Sequence, residues 1–254
     1  MEQTWREDFR GYVFADSPGG RLFGRWSDNP VDEGALEHEA AVRAIVGTEG
    51  VLRAPRVLDR AGLWLLEEAI DPEPCEGPEC VDTVAAAAER IAQLDLPPAP
   101  LRMGRRRGSI RRRARILRSP LPLRDLRVSQ RTLADPGLPS VTSHGDFHRG
   151  NVLLKDNTAW VVDWELSGNR PAGYDLMQFW ATLERPEDRE RLFEATVAAV
   201  GEARRSELLR LRHVLVVRTI AAKLSAPMAF DRDEAGAQEL LALLPAVRAE
   251  AGLR

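Results

Sequence analysis

Three polar residues in the middle of the chain have the types and spacing of a reaction centre. Asp146 and Asn151 lie five positions apart in HGDFHRGN (His144–Asn151), and Asp163 ends the apolar run in VVDWE (Val161–Glu165). An aspartate can accept the proton of an attacking hydroxyl. An asparagine can ligate a divalent cation, and a second aspartate can bridge that cation to phosphate oxygens. Phosphoryl transfer asks for little more: a nucleophile held in line, and positive charge on the phosphoryl group in flight. Oxygen donors of this kind suit Mg²⁺, which keeps several waters and takes its other ligands from phosphate. Taken alone, His-Gly-Asp would be an ordinary turn with Asp146 capping a neighbour; Asn151 and Asp163 in register favour the chemical reading. His148, inside the same stretch, falls outside this pattern and reads as a packed or exposed loop histidine.

The elements that must hold these residues follow from the surrounding pattern. GYVFA (Gly11–Ala15) and RLFGRWS (Arg21–Ser27) flank the turn-forming DSPGG, which predicts a β-hairpin. Ala35–Gly47 has helical spacing and a terminating glycine. APRVLD and Leu63–Ile70 read as two more strands, and DPEPCEGPE, with its three prolines, as a linker. CVDTVAAAAERIAQLDL is a helix stopped by PPAP. NVLLKDNTAWVVDWE predicts two short strands around the polar turn KDNT, so Asp163 sits where a strand ends. From Gly173 onward the chain reads as helices. The expectation is a β-rich N-terminal lobe with one helix, a hinge near Glu67–Pro74, and a larger helical C-terminal lobe.

These motifs resemble one family. HGDFHRGN is similar to the H-G-D-x-x-x-x-N signature of the aminoglycoside phosphotransferase and choline kinase family, small-molecule relatives of the protein kinases. VVDWE resembles its metal-binding segment, and GYDLMQF (Gly173–Phe179) the segment after it. The resemblance implies an α+β, bilobal protein-kinase-like fold with a small β-rich N-lobe over 1–70, a hinge or linker over 71–80, and a larger helical C-lobe over 81–254. It implies transfer of the γ-phosphoryl group of ATP or GTP to a hydroxyl of a small molecule, with antibiotic, sugar and amino-alcohol acceptors all admissible. Carried over residue by residue, Asp146 is the base, while Asn151 and Asp163 hold Mg²⁺. His144 and Asp175 support the catalytic loop; Asp175 would also cap the following helix. The Glu67 carbonyl and Ala69 amide would face the adenine edge.

Two positions depart from the pattern. Where the family carries a phosphate-binding lysine, this chain has Arg25, whose partner on the next helix would be Glu39, in preference to Glu37. No glycine-rich loop precedes it, because the SPGG glycines fall inside the hairpin turn. These departures motivate an alternative, a nucleotide-binding scaffold without catalysis. A third reading rests on Arg102–Arg118, where nine arginines fall in seventeen positions. Such a run neutralises phosphates in nucleic-acid-binding proteins, but it lacks aromatic residues and the chain carries a net charge of −3. A solvated helix face is the leading account of it.

Composition sets the remaining bounds. The 254 residues are 44% hydrophobic and 30% charged, enough for one large domain or two lobes. No apolar run reaches the roughly 20 residues needed to span a bilayer. The charged start MEQTWREDFRGY lacks a signal-peptide pattern, so the expected location is cytoplasmic, without a membrane partner. Cys75 and Cys80 are expected as two reduced thiols rather than a loop-closing disulfide.

Overall fold

The computed structural model describes residues 2–5, 10–17, 20–27, 33–47, 50–97, 120–134, 136–225 and 233–253. The Arg102–Arg118 run lies outside them. The chain divides into two compact units, Met1–Met103 with Val141–Arg170, and Gly104–Ser140 with Pro171–Arg254. The segment carrying Asp146, Asn151 and Asp163 thus clusters with the N-terminal strands, not with the helices that follow it.

The first unit begins with β1 (Glu2–Trp5), β2 (Arg10–Ser17) and β3 (Gly20–Ser27), followed by α1 (Glu33–Val46). Next come β4 (Leu52–Arg53), β5 (Val57–Ala61), β6 (Trp64–Glu68) and α2 (Gly77–Ala92). Strands β1-β2-β3-β6-β5, in that spatial order, form an antiparallel sheet. The expected hairpin is β2–β3, in register from Arg10↔Ser27 to Ser17↔Gly20. Alternation along β6 sends Leu65 and Glu67 inward and Trp64 outward, where Trp64 stacks on its cross-strand partner Trp26 at 4.9 Å. Helix α1 stops because Gly47, at φ 75°, takes the left-handed turn and donates its N–H to the Arg43 carbonyl.

The unit is completed by β7 (Ser140–Ser143), β8 (Val152–Lys155), β9 (Thr158–Val161) and β10 (Gly168–Pro171). β8 and β9 are the predicted strands around KDNT. Asp156 and Asn157 both have positive φ, the backbone a two-residue hairpin turn demands and one that Asp and Asn tolerate. β4 adds in parallel to β9, and the linker is tied in by Glu73 N–H donating to the Leu154 carbonyl at 2.7 Å. The expectation of two free thiols is corrected here. Because α2 begins at Gly77, it brings Cys75 and Cys80 to a Cα separation of 5.3 Å, and they form a disulfide.

In the second unit the chain forms α3 (Leu123–Ala134), α4 (Tyr174–Trp180), α5 (Pro186–Val200), α6 (Arg205–Ser225) and α7 (Glu234–Glu250). Their apolar faces meet through Met177, Phe179, Leu192, Leu211, Leu215 and Leu240, all buried. One polar junction crosses this core. Asp125 of α3 accepts hydrogen bonds from His213 of α6 at 3.0 Å and from Arg248 of α7 at 2.9 Å. Among the described residues no helix is long and apolar enough to cross a membrane.

Candidate active site

The loop between β7 and β8 carries the signature. Gly145 sits at φ 83°, and a Cβ there would run into the Leu166 carbonyl, so the position demands glycine. Phe147, fully buried, anchors the loop. His144 is also fully buried and works with both ring nitrogens. Its Nδ1 accepts the Asp146 N–H at 3.3 Å, which leaves the proton on Nε2 to be donated to the Val162 carbonyl at 2.9 Å. Asn151 Nδ2 donates to the Asp146 carbonyl at 2.9 Å and to the carboxylate Oδ2 at 3.2 Å. The Asn151 carbonyl in turn accepts the Val162 N–H at 3.0 Å. Val162 is therefore clamped at both backbone groups by the two ends of the signature, and Asp163 is the next residue.

Asp163 adopts a left-handed conformation, φ 63° and ψ 56°, uncommon for a residue with a side chain. Glu39 holds it there. The Oε1 of this buried carboxylate accepts the N–H of Asp163 at 3.1 Å and of Trp164 at 3.3 Å, the donors that open the short 3₁₀ turn Trp164–Leu166. Glu39 is fixed by Arg43, one helical turn along α1, and Arg43 also pairs with Glu67. His38, next to Glu39, bonds Ser167 Oγ at 2.8 Å; burial holds its pKa below the usual value against the raising pull of Glu39.

Several expectations are refined by this geometry. Glu39 is where the sequence predicted, but its described work is on the backbone of Asp163 and on Arg43; the Arg25 side chain lies outside the described residues. Glu67 contributes a buried side chain as well as its strand backbone. The Ala69 N–H does not face outward for a base: it donates to the Arg21 carbonyl at 2.9 Å and extends the β3–β6 ladder. Asp175 is buried in the first turn of α4, in the second unit, and is not its cap. Gly173 takes that position at φ 80°, and the carboxylate lies where helix dipoles favour negative charge. His148, read as a bystander, stands 3.5 Å from Asp146. Arg43 was missed altogether, although its i,i+4 spacing from Glu39 was the signal for it.

Among the described residues no cluster of three or more His, Cys, Asp or Glu forms a ready-made metal cage. A carboxylate and an amide, both hard oxygen donors, instead fit a cation that brings its own waters and phosphate oxygens, as Mg²⁺ does. With Asn151 Nδ2 committed to Asp146, the amide oxygen Oδ1 is the atom suited to such a cation.

Known proteins share the family and the fold of this chain. The family model described as "Phosphotransferase enzyme family" matches residues 5–214. No protein of curated function matches. Among solved structures, an ethanolamine kinase from Plasmodium vivax superposes with TM-score 0.63 at 14% identity, covering 98% of this chain and 84% of its own. Aminoglycoside phosphotransferase APH(4)-Ia gives 0.63 at 17% identity, with coverages of 98% and 93%. Spectinomycin phosphotransferase APH(9)-Ia, in complex with ADP and spectinomycin, gives 0.61 at 13%, with coverages of 99% and 92%. The fold is thus the α+β, protein-kinase-like fold of small-molecule kinases. Since the matched span runs from the first strand through the clamped loop and Asp163 into α6, the chain belongs to the phosphotransferase enzyme family.

Proposed function

We propose that this phosphotransferase moves the γ-phosphoryl group of ATP or GTP to a hydroxyl of a small molecule. The observation that carries this reading is the clamp on Val162, which draws Asp146, Asn151 and Asp163 into one constellation. Asp146 orients the acceptor hydroxyl and takes its proton as the new oxygen–phosphorus bond forms and the bond to the nucleotide breaks. Asn151 Oδ1 and the Asp163 carboxylate would hold Mg²⁺, which when bound supplies the positive charge that phosphate oxygens need. Glu39 and His144 keep Asp163 and Asp146 in place. Arg25, on β3, is assigned to the nucleotide phosphates. The names of similar proteins support a small hydroxyl-bearing acceptor, since they include kinases of ethanolamine and of spectinomycin.

Thermal denaturation with ATP or GTP, with and without Mg²⁺, tests this first. A ligand that binds only the folded state stabilises it by about 2.7 kcal/mol at a hundredfold excess over Kd. The expected shift depends on Mg²⁺ and vanishes in Asp163→Ala. Asp146→Asn is expected to keep the shift and lose most turnover. Absence of any nucleotide shift at millimolar concentration would favour the non-catalytic scaffold.

A further inference from the structure

His148 lies two residues beyond Asp146, with its backbone pinned by the buried Phe147. Its carbonyl accepts the N–H groups of Asn151 at 2.8 Å and of Val152 at 3.0 Å, so the residue is built into the turn. The ring is oriented too. Gly150 donates its backbone N–H to His148 Nδ1 at 3.0 Å, and a Cβ on Gly150 would stand 2.9 Å from His148 Cε1. The missing side chain is what lets the imidazole lie against the backbone. An N–H cannot donate into a protonated nitrogen, so Nδ1 presents its lone pair and Nε2 carries the proton. Nε2 faces the Asp146 carboxylate, 3.5 Å from Oδ2, the oxygen that also accepts from Asn151. In an enzyme without substrate such a contact is often long and tightens in the complex.

We propose that His148 is a positioning residue for Asp146: with its tautomer set by the Gly150 N–H, it joins Asn151 in anchoring Oδ2, which fixes how the carboxylate is turned toward the acceptor hydroxyl. The inference rests on Asp146 as the base, and it makes Gly150 part of the same device.

Two substitutions separate the ring nitrogens. His148→Gln places an amide N–H near the Nε2 position, whereas His148→Asn keeps a polar atom only near Nδ1. Hydrolysis of Mg²⁺–ATP with water as acceptor serves as the assay, and ¹H–¹⁵N spectra of the imidazoles report the tautomer directly. The parent is expected to show His148 as the Nε2–H form, with a resonance that moves in Asp146→Asn. His148→Asn is expected to lower kcat about tenfold with KM for ATP unchanged, the size of one hydrogen bond to a charged group. His148→Gln is expected to recover most of that loss. An Nδ1–H tautomer, or equal rates in the Gln and Asn variants, would overturn the proposal. A parent that neither binds nor hydrolyses Mg²⁺–ATP would sink the kinase reading instead, while the tautomer and its response to Asp146→Asn would still decide the contact.

Discussion

Arg43 is the residue on which the local electrostatics turn. Its guanidinium is buried between the carboxylates of Glu39 and Glu67, and Glu39 passes that constraint to the backbone of Asp163. Truncating one member of a buried ionic cluster leaves the others desolvated, a loss of about 3–5 kcal/mol. Arg43→Met is therefore expected to lower unfolding stability by about that amount in chemical denaturation. Arg43→Lys should recover only part, because an ammonium cannot fork to two carboxylates. A loss below about 1 kcal/mol in Arg43→Met would show that the carboxylates do not depend on it. Half of this arrangement was legible in sequence: Glu39 and Arg43 are one turn apart on a helix that periodicity predicts. Glu67 was not, because its meeting with Arg43 depends on which face of β6 turns inward, and the sheet register decides that.

At the level of elements, the signature loop between β7 and β8 is the part the sequence described best and the part least tolerant of change. Gly145→Ala would force a Cβ into the Leu166 carbonyl at a φ suited to glycine. The expected loss is about 1–3 kcal/mol of stability, together with a fall in Mg²⁺–ATP hydrolysis of more than about tenfold, since Asp146 follows directly. Unchanged melting and turnover in this variant would mean that the loop relaxes without moving Asp146. The β8–β9 turn was readable from Asp156-Asn157, and the end of α1 from Gly47, because in each case residue type and backbone conformation coincide. The fate of the Ala69 N–H was not readable, since a backbone donor leaves no trace in residue identity. Nor was the Cys75–Cys80 bond. Composition favoured thiols, and only the start of α2 at Gly77 brings the two cysteines together.

For the molecule as a whole, acid is expected to act through buried histidines. Burial lowers the pKa of His213 and outweighs the opposing pull of its hydrogen bond to Asp125. Among the described residues its Nδ1 is buried without a hydrogen-bond partner, so a second proton would arrive where nothing receives it. Burial by itself would raise Asp125, but hydrogen bonds from Arg248 and His213 outweigh it and hold the carboxyl below its ordinary value. Both groups bind fewer protons folded than unfolded. The His213 contribution is therefore complete above its unfolded value of about 6.5 and is lost as pH falls below it. The Asp125 contribution is lost only lower, beneath the unfolded carboxylate value of about 3.9. His38 acts in the same direction as His213, in the first unit. Melting temperature is expected to fall as pH drops from about 7 to about 5, with a shallower slope in His213→Gln; identical slopes would remove His213 from the account.

The stacked tryptophans on the outer face of the first sheet give that unit a signal of its own. Trp26 and Trp64 sit on opposite strands with their ring centroids 4.9 Å apart and their planes within 19° of each other. Two indoles this close share their excitation, so their ultraviolet spectrum differs from that of two separate tryptophans. The difference disappears when β3 and β6 part, without any label. Followed during heating, this native chromophore would time the loss of the Arg25-bearing sheet independently of the helical content, which circular dichroism follows mainly through the second unit.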